Sequence, residues 1–160
     1  MNGGPKLAAF RVERRSIAVA VFIGTRLDYA DSRELAAAHN KAEASAVSFI
    51  NWVVSAFHIS SAAIETYENG EEAFRAQLSG AVQDSLVASG VFIWQVSKAE
   101  LLEAFCHPSA RSRKDVRQVI TNIWPILLSK RVSGAKLDAV AIGLYVQTER
   151  LFSLTPNSVQ

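Results

Sequence analysis

The sequence has few of the features that mark disulfide-rich, secreted or membrane proteins. Its single cysteine, Cys106, excludes an internal disulfide framework and favours a reducing, cytoplasmic location. The most apolar stretch, Ile17 to Gly24, has only eight residues. A bilayer requires roughly 20. We therefore expect neither a membrane span nor a signal peptide.

Several catalytic signatures are also missing. The three histidines are isolated and lack the spacing of zinc ligands, and no P-loop or Gly-x-Gly-x-x-Gly motif occurs. What remains is a chain of 160 residues that is 49% hydrophobic and 20% charged. This composition is typical of a globular protein. It predicts one domain over residues 1–152, followed by a polar tail at 153–160.

The net charge of +2 hides an uneven distribution. Between His107 and Leu137, seven basic residues face one acid, which gives this stretch of the chain a net charge of +6. Such a stretch is either a solvated surface or a contact for a phosphate backbone. If it binds nucleic acid, the predicted contact residues are Arg111, Arg113, Lys114, Arg117, Lys130 and Arg131.

Hydrophobic periodicity predicts five strands and five helices. The predicted strands are Leu7–Glu13, Ile17–Ile23, Arg26–Leu35, Ser60–Tyr67 and Val91–Val96. The predicted helices are Ala42–Phe57, Glu71–Ala88, Lys98–Phe105, Arg113–Trp124 and Leu137–Phe152. Three antiparallel strands followed by strand–helix alternation predict an α/β fold with a mixed five-stranded sheet flanked by helices.

This element order resembles the RNase H-like superfamily, and three segments resemble its RuvC-type Holliday-junction resolvases. The first is the apolar strand Ala62–Glu68 with its Ile-Glu pair, and the second is the Asp-Ala-x-Ala pattern in Leu137–Leu144. The third is Lys98–Ile120, where a short helix, a basic loop and a basic amphipathic helix follow the fifth strand. The resemblance covers nearly the whole chain and implies that Glu65 and Asp138 are metal ligands.

The sequence departs from the family pattern at two positions. Where the first strand of the family ends in Asp-x-Gly, one alignment places Arg11, which cannot bind a cation, and another places Glu13, which can. Both alternatives remain open. On the last helix Ala135 stands where the family usually has a further Asp or His.

The resemblance implies two functions that the sequence does not separate. The first is an endonuclease that cuts branched or structured DNA, with Glu65, Asp138 and Glu13 as catalytic residues that bind Mg²⁺, or Mn²⁺ in its place. The second is an inactive relative that binds nucleic acid or a protein partner. An actin-like ATP-binding unit would need glycine-rich phosphate loops and a duplicated domain, and neither is present.

The resemblance also implies a homodimer, because these resolvases act on symmetric junctions. The helix Ala42–Phe57 is the predicted interface, since Phe49, Trp52 and Val53 form a second apolar stripe beside its core face.

Overall fold

The chain folds around one mixed sheet covered on both faces by helices. The structure, a computed structural model, describes residues 6–36, 38–67, 73–108, 111–128 and 133–151. In chain order the elements are β1 (Lys6–Val12), β2 (Ser16–Ile23), β3 (Arg26–Glu34), α1 (His39–Phe57), β4 (Ser61–Glu65), α2 (Ala73–Ala88), β5 (Phe92–Val96), α3 (Lys98–Phe105), α4 (Arg113–Ile123) and α5 (Gly134–Tyr145). A 3₁₀ turn (Pro125–Leu128) follows α4, and a π-helical turn (Val146–Leu151) follows α5.

The five strands lie in the order β3-β2-β1-β4-β5. The pairs β1–β2 and β2–β3 are antiparallel, whereas β1–β4 and β4–β5 are parallel. This confirms the predicted fold class, including the central position of the first strand between the second and the fourth. In consequence β1, β4 and β5 all end at the same edge of the sheet, called the carboxyl edge below.

Alternation along the strands divides the core between the two faces of the sheet. On one face, Ala8, Phe10 and Val12 of β1 pack with residues of α1 and α2. On the other face, Leu7 and Ala9 pack with residues of α4 and α5. The side chain that follows Leu7 and Ala9 in this alternation is Arg11, so it points toward α5.

Several predicted boundaries differ from the observed ones. The first strand ends at Val12 instead of Glu13. The last helix begins at Gly134, because the Ser133 hydroxyl accepts a hydrogen bond from the Lys136 amide and so caps a turn that the prediction assigned to a connector. The predicted helix start at Glu71, and the polar tail at 153–160, lie outside the described residues.

The predicted second apolar stripe on α1 is wrong for two of its three residues. Phe49 and Val53 are buried in the core, and only Trp52 is exposed, with 44% of its surface accessible. A helix against a sheet buries a wide stripe, so residues flanking the central line of contact are also enclosed. None of the described helices is long and apolar enough to span a bilayer.

Candidate functional site

Three charged side chains from distant parts of the chain meet at the carboxyl edge. Arg11, Glu65 and Asp138 are 4%, 2% and 1% exposed. The pairing of Phe10 with Ile64 places Arg11 beside Glu65 on adjacent strands. Asp138 reaches them from the second turn of α5, which packs across β1 and β2. The predicted approach of Glu65 and Asp138 is thus realised in the fold, with Arg11 between them.

Arg11 contacts all three carboxylates that were predicted as metal ligands. Its Nη1 donates to Oε2 of Glu65 at 2.7 Å, and its Nη2 lies 2.7 Å from Oε2 of Glu13. Its Nε lies 3.6 Å from Oδ2 of Asp138, which is an ion-pair distance without a hydrogen bond. The alternatives for the first strand therefore resolve as follows: Arg11 lies inside the site, and Glu13 lies at its rim and contacts Arg11.

Two more arginines, both from α4, complete the cluster. Arg113 binds Glu65 through two hydrogen bonds, Nη1 to Oε1 at 3.1 Å and Nη2 to Oε2 at 2.7 Å. Arg117 binds Asp138 in the same bidentate manner, Nε to Oδ1 at 2.9 Å and Nη2 to Oδ2 at 2.8 Å. We call the six residues Arg11, Glu13, Glu65, Arg113, Arg117 and Asp138 the arginine–carboxylate cluster. It contains three positive and three negative groups.

The surroundings keep the two α4 arginines charged. Burial lowers the pKa of Arg113, but the hydrogen bond to Glu65 and the charges of Glu65 and Asp138 outweigh this and raise the pKa above its usual value. For Arg117 the hydrogen bond to Asp138 is the largest influence and raises the pKa, with burial opposing it. Both side chains are therefore permanent cations in the site.

The local sequence explains why these arginines point inward. The Ser112 hydroxyl accepts a hydrogen bond from the Asp115 amide, which starts α4 at Arg113. Arg113 and Arg117 are then one helical turn apart and share a face with the buried Val116 and Ile120. The sequence interpretation missed this role, although the i, i+3, i+4, i+7 spacing of Arg113, Val116, Arg117 and Ile120 carried the signal.

Gly134 makes room for one of these contacts. A Cβ atom at this position would lie 2.6 Å from Nη1 and 2.8 Å from Nη2 of Arg117. The guanidinium therefore lies directly against the first turn of α5, where it reaches Asp138 four residues further on. A larger residue at position 134 would displace the Arg117 side chain.

A tyrosine borders the cluster on the side of β4. The Tyr67 ring lies below two guanidinium groups, with Cζ of Arg11 5.5 Å and Cζ of Arg75 5.4 Å from its centre. Its hydroxyl donates a hydrogen bond to the Val12 carbonyl oxygen. Burial raises the pKa of the Tyr67 hydroxyl well above its usual value, so this group remains a neutral donor.

The other predicted nucleic-acid contacts lie outside the cluster. Arg111 and Lys114 are exposed beside the site, unlike Arg113 and Arg117. Lys130 and Arg131 lie outside the described residues. Within the described part of the chain, no group of three or more His, Cys, Asp or Glu side chains is arranged to hold a metal ion.

A pocket of about 510 Å³ opens next to the cluster, between the ends of β4 and β5 and the start of α3. Arg11, Glu65 and Arg113 form its inner wall, and Arg75 and Lys98 also line it. The cluster is thus accessible from the side of this pocket.

Comparisons with solved structures identify the fold of the chain, whereas sequence comparisons find no match. No family model matches the chain, and no curated protein sequence matches it significantly. Among solved structures, Thermus thermophilus RuvC has a TM-score of 0.72 at 17% identity, covering 92% of this chain and 96% of that one. The same protein in complex with a Holliday junction substrate has a TM-score of 0.71 at 16% identity, covering 91% and 96%.

A eukaryotic protein is also similar. The yeast mitochondrial Holliday junction resolvase has a TM-score of 0.62 at 10% identity, covering 92% of this chain and 78% of that one. These likenesses extend over almost the full length of the chain and show that it has the fold of RuvC-type resolvases.

Proposed function

We propose that this chain is a nucleic-acid-binding protein of RuvC-type fold that does not cleave its DNA. The observation that carries the proposal is the position of Arg11, whose guanidinium lies between Glu65 and Asp138. The nuclease alternative requires the same carboxylates to hold Mg²⁺. In this arrangement an arginine takes the place of the ion.

The donor set does not fit a hydrated divalent cation. Mg²⁺ needs carboxylate oxygens that are free to coordinate it at about 2.0–2.1 Å. Both oxygens of Glu65 accept hydrogen bonds from arginines, as do both oxygens of Asp138. A cation at this point would also meet three permanent positive charges. We therefore derive no reaction step through Mg²⁺ or Mn²⁺, and the predicted metal site finds no support in the geometry.

Binding of nucleic acid is supported by the residues around the cluster. Arg14 and Arg15 are exposed just after β1, and Lys98, Arg111 and Lys114 are exposed at the starts of α3 and α4. All five belong to the carboxyl edge. Solved complexes of the same fold, those of Thermus thermophilus and fowlpox virus resolvases, contain Holliday junction DNA. We infer that the ligand is branched DNA held through its phosphates.

The decisive experiment compares binding and cleavage on a mobile four-way junction. We expect a gel shift that is equal in EDTA and in Mg²⁺, and intact strands after long incubation with Mg²⁺ or Mn²⁺. Cleavage that requires either ion and disappears in Glu65→Gln, with Asp138→Asn as a second variant, would establish the nuclease instead. Failure to bind the junction at low salt would remove the nucleic-acid proposal altogether.

A pair of double variants tests the surface that binds the phosphates. Arg111→Ala with Lys114→Ala should weaken binding and reduce the log–log salt slope by about 0.9 for each phosphate that the variant no longer neutralises. The matched control, Lys6→Ala with Arg26→Ala, changes two basic residues at the opposite edge of the sheet. We expect the control to leave both affinity and slope unchanged.

We also propose that the protein is a homodimer, as the resolvase resemblance implies. The exposed Trp52 on α1 supports this interface, since it lies among Tyr29, Phe49 and Phe57 with ring centres about 6 Å away. Aromatic residues such as tryptophan are enriched at protein–protein interfaces.

A further inference from the structure

Two arginines lie at the tip of the β1–β2 hairpin, residues 13–16. Arg14 and Arg15 occupy its two central positions and are both exposed. Within the described part of the chain, neither forms an ion pair with a carboxylate, although Glu13 and Glu34 are neighbours of the tip. The arginines of the arginine–carboxylate cluster, in contrast, are all paired with carboxylates. The tip therefore carries two cations that can bind a ligand without breaking an existing pair.

Hydrogen bonds hold the backbone of the tip in place. The Glu13 amide donates to the Ser16 carbonyl oxygen at 2.8 Å and closes the hairpin. The Leu35 amide, just after β3, donates to the Arg15 carbonyl oxygen at 2.7 Å and ties the tip to the neighbouring strand. Because the backbone is fixed before a ligand arrives, binding at the tip requires no ordering of the loop, which favours affinity.

The tip and the start of α3 lie on two sides of the arginine–carboxylate cluster. The tip joins β1 and β2, whereas α3 begins directly after β5, and the strand order places the ends of β1 and β4 between them, with Arg11 and Glu65. Neighbouring strands are about 4.8 Å apart, so the tip lies roughly 10–14 Å from the start of α3 along the edge. The carboxyl edge thus carries two basic groups beside the neutral cluster. One is the tip, and the other, called the α3–α4 group, consists of Lys98, Arg111 and Lys114.

We propose that Arg14 and Arg15 distinguish branched DNA from linear duplex, by contacting phosphates of a second arm while the α3–α4 group holds the first. Strands are exchanged at a branch point, so phosphates of two arms converge there, whereas a linear duplex offers the phosphates of one arm. Basic groups on two sides of a neutral surface match two converging arms. The inference rests on the proposed function, because it names the residues that select the branched ligand.

The test measures fluorescence anisotropy with a labelled four-way junction and with a linear duplex that has the sequence of two of its arms. We expect the wild type to bind the junction more tightly. Arg14→Ala with Arg15→Ala should weaken junction binding about tenfold, the effect of one charge-assisted hydrogen bond, and leave duplex binding unchanged. Arg14→Lys with Arg15→Lys keeps both charges and should retain the preference, because lysine also binds phosphate. Both positions are exposed, so the core stays intact, and urea denaturation checks that the variants fold.

Arg111→Ala with Lys114→Ala is the matched control, because it removes two exposed cations of the same edge from the α3–α4 group. It should weaken the junction and the duplex alike. Equal weakening of both ligands by the alanine variant of the tip would overturn the inference, as would an unchanged junction affinity, a wild type without preference, or loss of the preference in the lysine variant. A wild type that binds neither DNA contradicts the proposed function itself, so the two failures are distinguishable.

Discussion

Arg11 is almost fully buried, and the free energy of placing its charge in the protein interior is balanced by the carboxylates around it. Transferring a guanidinium and a carboxylate from water costs several kcal/mol for each ion, which only close, well-aligned partners offset. Glu65 is such a partner for Arg11, at 2.7 Å. The two arginines of α4 are close partners for the carboxylates of Glu65 and Asp138. The cluster is therefore stable as a set, and each member depends on the others.

Two substitutions at Arg11 separate loss of charge from gain of a metal site. Arg11→Met should lower the free energy of unfolding by about 3 kcal/mol, the lower end of the range for a broken buried ion pair, because Arg113 remains on Glu65. Arg11→Asp should be destabilised further in EDTA, since it adds a fourth carboxylate. Mn²⁺ should restore part of the stability of Arg11→Asp alone, because the new carboxylate and that of Glu13, which loses its contact with Arg11, are then both available to the ion.

Chemical denaturation of the wild type, Arg11→Met and Arg11→Asp, each in EDTA and in Mn²⁺, measures these free energies of unfolding. Stabilisation of the wild type by Mn²⁺ would contradict the proposed role of Arg11, since it would mean that the native cluster accepts the ion. Equal stability of the Met and Asp variants in EDTA would contradict the dense packing of carboxylates that the structure shows.

At this scale the sequence predicts some site residues and leaves others open for physical reasons. Glu65 and Asp138 are predictable because element order brings a strand end and a helix face to one edge. The choice between Arg11 and Glu13 is not, because the two are two residues apart on the same face and differ only in where the strand ends, which depends on the length of the turn that follows. The inward position of Arg113 depends on how α4 packs, and a basic run by itself favours a solvated surface.

At the scale of elements, the position of Asp138 depends on how closely α5 approaches the sheet. Gly143, which follows Asp138 on the same helix, lies against the Phe22 ring of β2. A Cβ atom there would lie 2.8 Å from Cδ2 of that ring and 3.2 Å from Cβ of Ala9. The absence of a side chain at this position lets α5 pack directly on β1 and β2.

Gly143→Ala should therefore destabilise the protein by about 1–3 kcal/mol, the usual cost of overpacking, although alanine is the better helix former. Gly80→Ala on α2 is the matched control, because a Cβ at that position would meet nothing within 4 Å apart from its own stretch of helix backbone. We expect it to be neutral or to stabilise by about 0.5–1 kcal/mol. Urea denaturation of both variants checks this, and similar changes in the two would refute the close approach of α5.

Element boundaries are less predictable than element identity. Periodicity identifies α5 correctly, because its apolar residues recur at helical spacing. The predicted start at Leu137 is three residues late, since Gly134 and Ala135 are weak signals and the cap at Ser133 is recognisable only when the turn is seen. The predicted start of α4 at Arg113 agrees with the structure, because Ser112 precedes a strongly amphipathic run.

At the scale of the whole molecule, the sheet order follows from a small number of topological rules, whereas self-association stays a prediction. The surface of α1 offers one exposed aromatic residue, Trp52, instead of the predicted stripe of three apolar residues. Arg33 lies beside it, with Cζ 5.5 Å from the centre of the Trp52 ring. A two-fold axis through this region would place each tryptophan against the partner's copy of the same surface.

We expect light scattering to give twice the monomer mass at micromolar concentration, and Trp52→Glu to give a monomer. Val87→Glu is the matched control, because Val87 is 65% exposed but belongs to a different helix, α2. A monomeric wild type would contradict the dimer. Dissociation by the Val87 variant alone would place the interface on α2 instead.

The balance of charges in the arginine–carboxylate cluster has a consequence for the history of the protein. Replacing any one buried member breaks at least one buried ion pair, at a cost of about 3–5 kcal/mol. The whole fold of a typical domain is stable by only about 5–15 kcal/mol. A lineage that carries all three arginines can therefore reach an open acidic site by single substitutions only through destabilised intermediates. The proposed inactivity of the site is in this way coupled to the stability of the whole fold.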